Sequence, residues 1–122
     1  MAKILVVDDF ADLAEMMSAL FESYGHDLRI ASDGRQAVEA ARAFAPEIVF
    51  MDLDMPVLNG YDAARRIQAE LPFRPYLVAV TAAANDGIEA ATKEAGFDVC
   101  LRKPADMGVL LALVDGVAGR GG

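Results

Sequence analysis

Residues 48–60 read Ile48-Val49-Phe50-Met51-Asp52-Leu53-Asp54-Met55-Pro56-Val57-Leu58-Asn59-Gly60. Four large apolar residues stand in unbroken succession and end on a carboxylate. Turn-forming Pro, Asn and Gly follow. An apolar run of this length, closed by turn residues, reads as a strand covered on both faces, as strands of parallel sheets are. Working outward, the same rhythm recurs. Apolar runs stand at Ile4-Leu5-Val6-Val7, Leu28-Arg29-Ile30-Ala31, Tyr76-Leu77-Val78-Ala79-Val80 and Val99-Cys100-Leu101. Those at 4–7 and 76–80 are nearly continuous and belong in a sheet centre. The run holding Arg29 alternates, and the short run between Asp98 and Arg102 is polar-flanked, so both suit sheet edges.

Helical segments fill the gaps. Leu13, Met16, Met17, Leu20, Phe21 and Tyr24 recur at spacings of three and four, predicting an inward apolar stripe that ends before Gly25. A second helix opens near Asp33-Gly34, turns Ala37, Val38, Ala41 and Phe44 inward, and stops before Pro46. A third opens after Asn59-Gly60, carries Ala64, Ile67 and Leu71, and stops before Pro72. A fourth, Ala-rich, runs roughly from Ile88 to Ala95 and ends at Gly96. A fifth follows Lys103-Pro104 and buries Met107, Leu110, Leu111, Val114 and Val117. Five β-α units predict an α/β, doubly wound parallel sheet with helices on both faces. The expected domain is 1–118, with 119–122 a flexible tail.

Composition narrows the function. The chain has 122 residues, 11 Lys+Arg against 19 Asp+Glu, a formal net charge of −8 and 55 % apolar residues. That suits one domain with a real core. The acidic balance argues against nucleic-acid backbone and anionic membrane as partners. No apolar run approaches the ~20 residues of a membrane span, and no secretory signal is legible at the start. Cys100 is the only cysteine, so no internal disulfide forms, and a cytoplasmic setting is expected.

In open α/β sheets, ligands bind beyond the carboxyl ends of the strands. Those ends carry Asp8-Asp9, Asp52, Thr81 and Lys103-Pro104, with Ser32-Asp33 at an edge. Singly, each reads as an ordinary polar loop residue or helix cap. Together, in the strand order 2-1-3-4-5, they would crowd three carboxylates, which demand a compensating cation. Lys103 is one candidate. A hard dication such as Mg²⁺, with oxygen ligands, is another. Carboxylates, a dication, an ammonium and a hydroxyl are what phosphoryl transfer onto a carboxylate needs, with Asp52 the best-placed nucleophile.

Across Lys3 to about Val117, these motifs resemble the receiver domain of two-component response regulators. The set consists of Asp8-Asp9, Asp52 through Gly60, Thr81-Ala82 and Lys103-Pro104. The resemblance implies a flavodoxin- or CheY-like (βα)5 fold with strand order 2-1-3-4-5. It implies that Asp52 takes phosphate from a phosphohistidine on a histidine kinase or phosphotransfer protein. Mg²⁺ would be held by Asp8, Asp9, the Asp52 carboxylate and the Asp54 backbone carbonyl. Thr81 would bind the phosphoryl group, and Lys103, preceding a cis-Pro104, would pair with it. The product is a signalling switch rather than a metabolic enzyme, presenting an altered fourth-helix, fifth-strand and fifth-helix face to a downstream protein. It would act alone or as the receiver of a hybrid kinase.

Two positions depart from the family pattern. Cys100 stands where an aromatic residue is usual, and Ala105 replaces a bulky one. Asp54 and Ala83 occupy positions that tune phosphoryl lifetime in such families. Two other readings compete. Val49-Phe50-Met51-Asp52-Leu53-Asp54 also resembles the nucleophile strand of haloacid-dehalogenase-type phosphohydrolases, but mid-chain and with Pro56 where Gly-Thr is expected. A receiver-like interaction module that never takes phosphate is the other. His26 reads as surface filler and Cys100 as a small strand residue.

Overall fold

The computed structural model describes residues 2–9, 11–53, 60–82, 86–103 and 106–121, the side chains of 11–13 and 118–121 excepted. Five strands, β1 (Lys3–Val7), β2 (Asp27–Ala31), β3 (Ile48–Asp52), β4 (Tyr76–Thr81) and β5 (Val99–Arg102), alternate with five helices, α1 (Ala11–Ser23), α2 (Gly34–Phe44), α3 (Gly60–Glu70), α4 (Asp86–Ala95) and α5 (Met107–Gly121). The strands form one parallel sheet in the order β2-β1-β3-β4-β5. The strand with Arg29 and the short fifth strand are the edges, as their polar interruptions predict.

Every residue of β3 is buried, which is why its sequence shows no alternation. Alternate residues feed two cores. Leu5, Val7, Val49, Met51, Leu77 and Ala79 pack under α2 and α3. Val6, Phe50, Val78 and Val80 pack on the other face, against Met17 and Phe21 of α1 and Leu110 and Val114 of α5. Phe21 and Phe50 stack there with ring centroids 5.4 Å apart.

The helix boundaries follow local chemistry. Asp33 caps α2, its carboxylate accepting from the Gln36 N–H at 2.8 Å. Pro46 disfavours a helical residue before it, and Ala45 closes α2 in the left-handed region at φ 54°. At the end remote from Asp52, Gln68 of α3 donates to the Gly96 carbonyl at 2.7 Å, and Arg74 pairs with Asp98 at 3.1 Å. These bonds tie α3 and the start of β4 to the α4–β5 turn.

Three inward expectations fail. Met16 is 53 % exposed, Tyr24 62 % and Met107 37 %. Ala14, Met17 and Phe21 fill the line of α1 that meets the sheet, so the apolar stripe is wider than the face it covers. Met107 is the first residue of α5 and stands outside the core that α5 shares with the sheet. Leu111 is only partly buried. Helix α5 runs through Gly121. His26 is half-buried, and its Nδ1 accepts from the Ala2 N–H at 3.0 Å, fastening the start of β1.

Candidate functional site

The site begins with register. Val7 pairs with Met51, so Asp8 and Asp52, the next residue of each strand, emerge side by side at the carboxyl edge. Both are nearly inaccessible, at 6 % and 4 % exposure, whereas neighbouring Asp9 is exposed. Asp8 holds its place through its own N–H, which donates to the Ala31 carbonyl at 3.1 Å. Carboxylate oxygens of Asp8, Asp9 and Asp52 lie within 4.8 Å of one another. Like charges this close repel strongly in a poorly solvated site.

Lys103 supplies one counter-charge. Its Nζ lies 3.1 Å from Asp52 Oδ2 and 3.9 Å from Asp8 Oδ2. The residue is aimed by its backbone: the Lys103 N–H donates to the Thr81 carbonyl at 2.9 Å, extending the β4–β5 ladder by one bond. Thr81 is buried at 2 % exposure on the strand beside Asp52. Asp52 pairs in register with Val80, so Thr81 stands one residue further along the edge. The structure thus brings Asp8, Asp9, Asp52, Thr81 and Lys103 to one rim. Asp54, Ala83, Pro104 and Ala105 lie outside the described residues, and so does the expected cis bond.

One contributor went unweighted in the sequence. A Cβ on Gly60 would stand 2.8 Å from the Asp52 carbonyl oxygen and 3.0 Å from Leu53 Cα. Helix α3 therefore starts directly against the backbone that carries Asp52, a contact only glycine permits. The Asn59-Gly60 pair signalled a helix start; nothing in the sequence said what the missing side chain makes room for.

Cys100 lies partly buried on β5, packed against the core beneath α2 and α3. Burial pushes its thiol above the usual range, with a Thr92 hydrogen bond opposing. It lines a shallow cavity of about 280 Å³ between α4 and β5, together with Thr92 and Phe97.

Residues 4–115 match the response regulator receiver domain family. The chain is 34 % identical over 119 residues to Protein PilH of Pseudomonas aeruginosa, covering 96 % of this chain and 98 % of PilH. It is 36 % identical over 112 residues to the DNA-binding response regulator MtrA of Mycobacterium tuberculosis, covering 92 % of this chain and 48 % of MtrA. The chain thus spans about half the length of MtrA. Among solved structures, it resembles the receiver domain of a sensor histidine kinase from Pseudomonas aeruginosa, described with a magnesium ion coordinated in the active site cleft. The TM-score is 0.86 and the identity 32 %, over 97 % of this chain and 98 % of that one. The chain belongs to the response regulator receiver family of two-component signalling, a family of signalling domains rather than metabolic enzymes.

Proposed function

We propose that the chain is a phosphorylation switch in which the Asp52 carboxylate accepts a phosphoryl group from a phosphohistidine on a histidine kinase or phosphotransfer protein. The observation that carries this is the buried Asp52 carboxylate, 3.1 Å from Lys103 and clustered with Asp8 and Asp9. One Asp52 oxygen attacks phosphorus as the P–N bond to the donor imidazole breaks, leaving an acyl phosphate. Lys103 holds an ammonium where charge gathers on the phosphoryl oxygens. Thr81, one residue further along the edge, offers its hydroxyl to a phosphoryl oxygen.

The donor set suits a small hard cation: all oxygen, all carboxylate, and gathered within 4.8 Å of one another. Asp8, Asp9 and Asp52 would hold Mg²⁺. When bound, that ion offsets carboxylate repulsion and draws charge from the transferring phosphoryl group.

Residues 1–118 form the switching unit in this reading, and the output is a protein contact through α4, β5 and α5. The net charge of −8 disfavours direct nucleic-acid contact by this domain. Among the described residues, no helix is long and apolar enough to cross a membrane. We place the chain in the cytoplasm, where such kinases deliver phosphate. The dehalogenase reading yields to the family match and to the place of Asp52 on the third strand.

The test is incubation with acetyl phosphate, with and without Mg²⁺, monitored by intact mass and phosphate release. A metal-dependent adduct that decays slowly supports the switch. Rapid multiple turnover without an adduct supports a phosphohydrolase. No reaction under saturating metal supports an interaction module that takes no phosphate.

A further inference from the structure

The described methionines differ sharply in access. Met17 and Met51 are buried, whereas Met16 of α1 is 53 % exposed and Met107 of α5 is 37 % exposed. Both exposed methionines line one cavity of about 310 Å³, and Asp52 and Lys103 line the same cavity. The rest of its lining is largely apolar, with Phe50 and Val80 from the sheet and Leu110 from α5 among it. Two accessible thioethers, from two different helices, therefore share a cavity with the carboxylate proposed to take phosphate.

An accessible thioether reacts with hydrogen peroxide. The O–O bond breaks, one oxygen bonds to sulfur, sulfur gives up two electrons, and the other oxygen leaves as water. The product sulfoxide is polar where the thioether was apolar. A polar wall holds water that an apolar wall does not. Water decides the fate of an acyl phosphate, because a site that excludes it protects a reactive intermediate from hydrolysis. We propose that Met16 and Met107 are a peroxide-sensitive pair whose conversion to sulfoxides draws water into the cavity and shortens the life of the phosphoryl group on Asp52. In that hydrolysis a water oxygen attacks phosphorus, the bond from phosphorus to the Asp52 carboxyl oxygen breaks, and inorganic phosphate leaves as the carboxylate is regenerated. The inference rests on the phosphorylation reading and adds a redox input to the same site. Sulfoxide reductases return the thioether, so the input is reversible.

The test treats the full chain with dilute hydrogen peroxide and follows sulfoxide formation by peptide mass. The chain is then loaded with acetyl phosphate and Mg²⁺, and the decay of the adduct is followed by intact mass. Met16 and Met107 should gain oxygen before Met17 and Met51 do. The oxidised chain should lose its phosphoryl group at least about threefold faster than the untreated chain, as expected when water reaches a protected intermediate. Methionine sulfoxide reductase should restore the untreated lifetime. The double variant Met16→Leu, Met107→Leu conserves volume and is compatible with folding. It should keep its lifetime through the same treatment, and since it retains Cys100, any effect of thiol oxidation would show there. Oxidation of Met17 or Met51 as fast as that of Met16 and Met107, an unchanged or longer lifetime after oxidation, or equal acceleration in the Leu variant would each overturn this inference alone. Absence of any adduct on the untreated chain would overturn the phosphorylation reading and this inference with it.

Discussion

Lys103 Nζ lies 3.1 Å from Asp52 Oδ2, and the pair is fixed from the backbone side by the bond between the Lys103 N–H and the Thr81 carbonyl. The ammonium pairs with Asp52 and lies 3.9 Å from Asp8 Oδ2. Replacing Lys103 removes the ammonium that both buried acids share. Lys103→Met should therefore cost about 1–3 kcal/mol of stability in metal-free buffer, the scale of a buried polar partner lost. Lys103 is partly exposed, which keeps the loss below that of a fully buried ion pair. Urea melts in EDTA measure it. An unchanged midpoint would show that Lys103 does not relieve the cluster.

A cation held by Asp8, Asp9 and Asp52, as proposed, would bind the folded chain and not the unfolded one. Free Mg²⁺ at a hundred times its Kd should raise stability by about 2.7 kcal/mol. The gain should be largest in Lys103→Met, where the metal replaces the lost charge, and should nearly vanish in Asp8→Asn. Thermal melts across a MgCl2 series decide this, and equal gains in all variants would mean the ion binds elsewhere.

Gly60→Ala sets two effects against each other. Alanine favours a helix by up to ~1 kcal/mol, and less at its first residue. The added Cβ, however, would stand 2.8 Å from the Asp52 carbonyl oxygen and 3.0 Å from Leu53 Cα. Both are backbone atoms that cannot rotate away, and overpacking of this kind costs about 1–3 kcal/mol. Sterics should win: the variant should be less stable, and Asp52 should phosphorylate more slowly because its strand end shifts. A variant more stable than the parent would show that α3 moves freely.

Burial raises the Cys100 thiol above its usual range. At pH 8 its alkylation by iodoacetamide should be slower than that of a free thiol, because the thiolate reacts. The sign for stability follows. As pH rises past the ordinary thiol range, the unfolded chain deprotonates before the folded one, so stability falls there. Cys100→Ala should lack that component of the alkaline decline. Alkylation as fast as that of a free thiol would contradict the burial argument.

The sheet was legible because β-α repetition and buried-strand composition leave few alternatives: the run 48–51 announces a central strand, and Arg29 announces an edge. The site was legible for a related reason, since residues following apolar strands must gather at one rim, and Asp8, Asp9, Asp52, Thr81 and Lys103 do. Periodicity is blind to how much of a stripe the sheet covers, so Met16, Tyr24 and Met107 were placed inside although they are exposed. It is equally blind to bonds between distant segments. The His26 contact with Ala2 and the fit of Gly60 against Asp52 depend on which elements become neighbours.

The central claim is that the Asp52 carboxylate receives the phosphoryl group. Transfer from a ³²P-phosphohistidine protein in Mg²⁺, followed by peptide mapping of the labelled chain, tests it directly. The account predicts one acid-stable, alkali-labile label on the peptide carrying Asp52, lost in Asp52→Asn and in EDTA. Label on another residue, or label retained by Asp52→Asn, would contradict it.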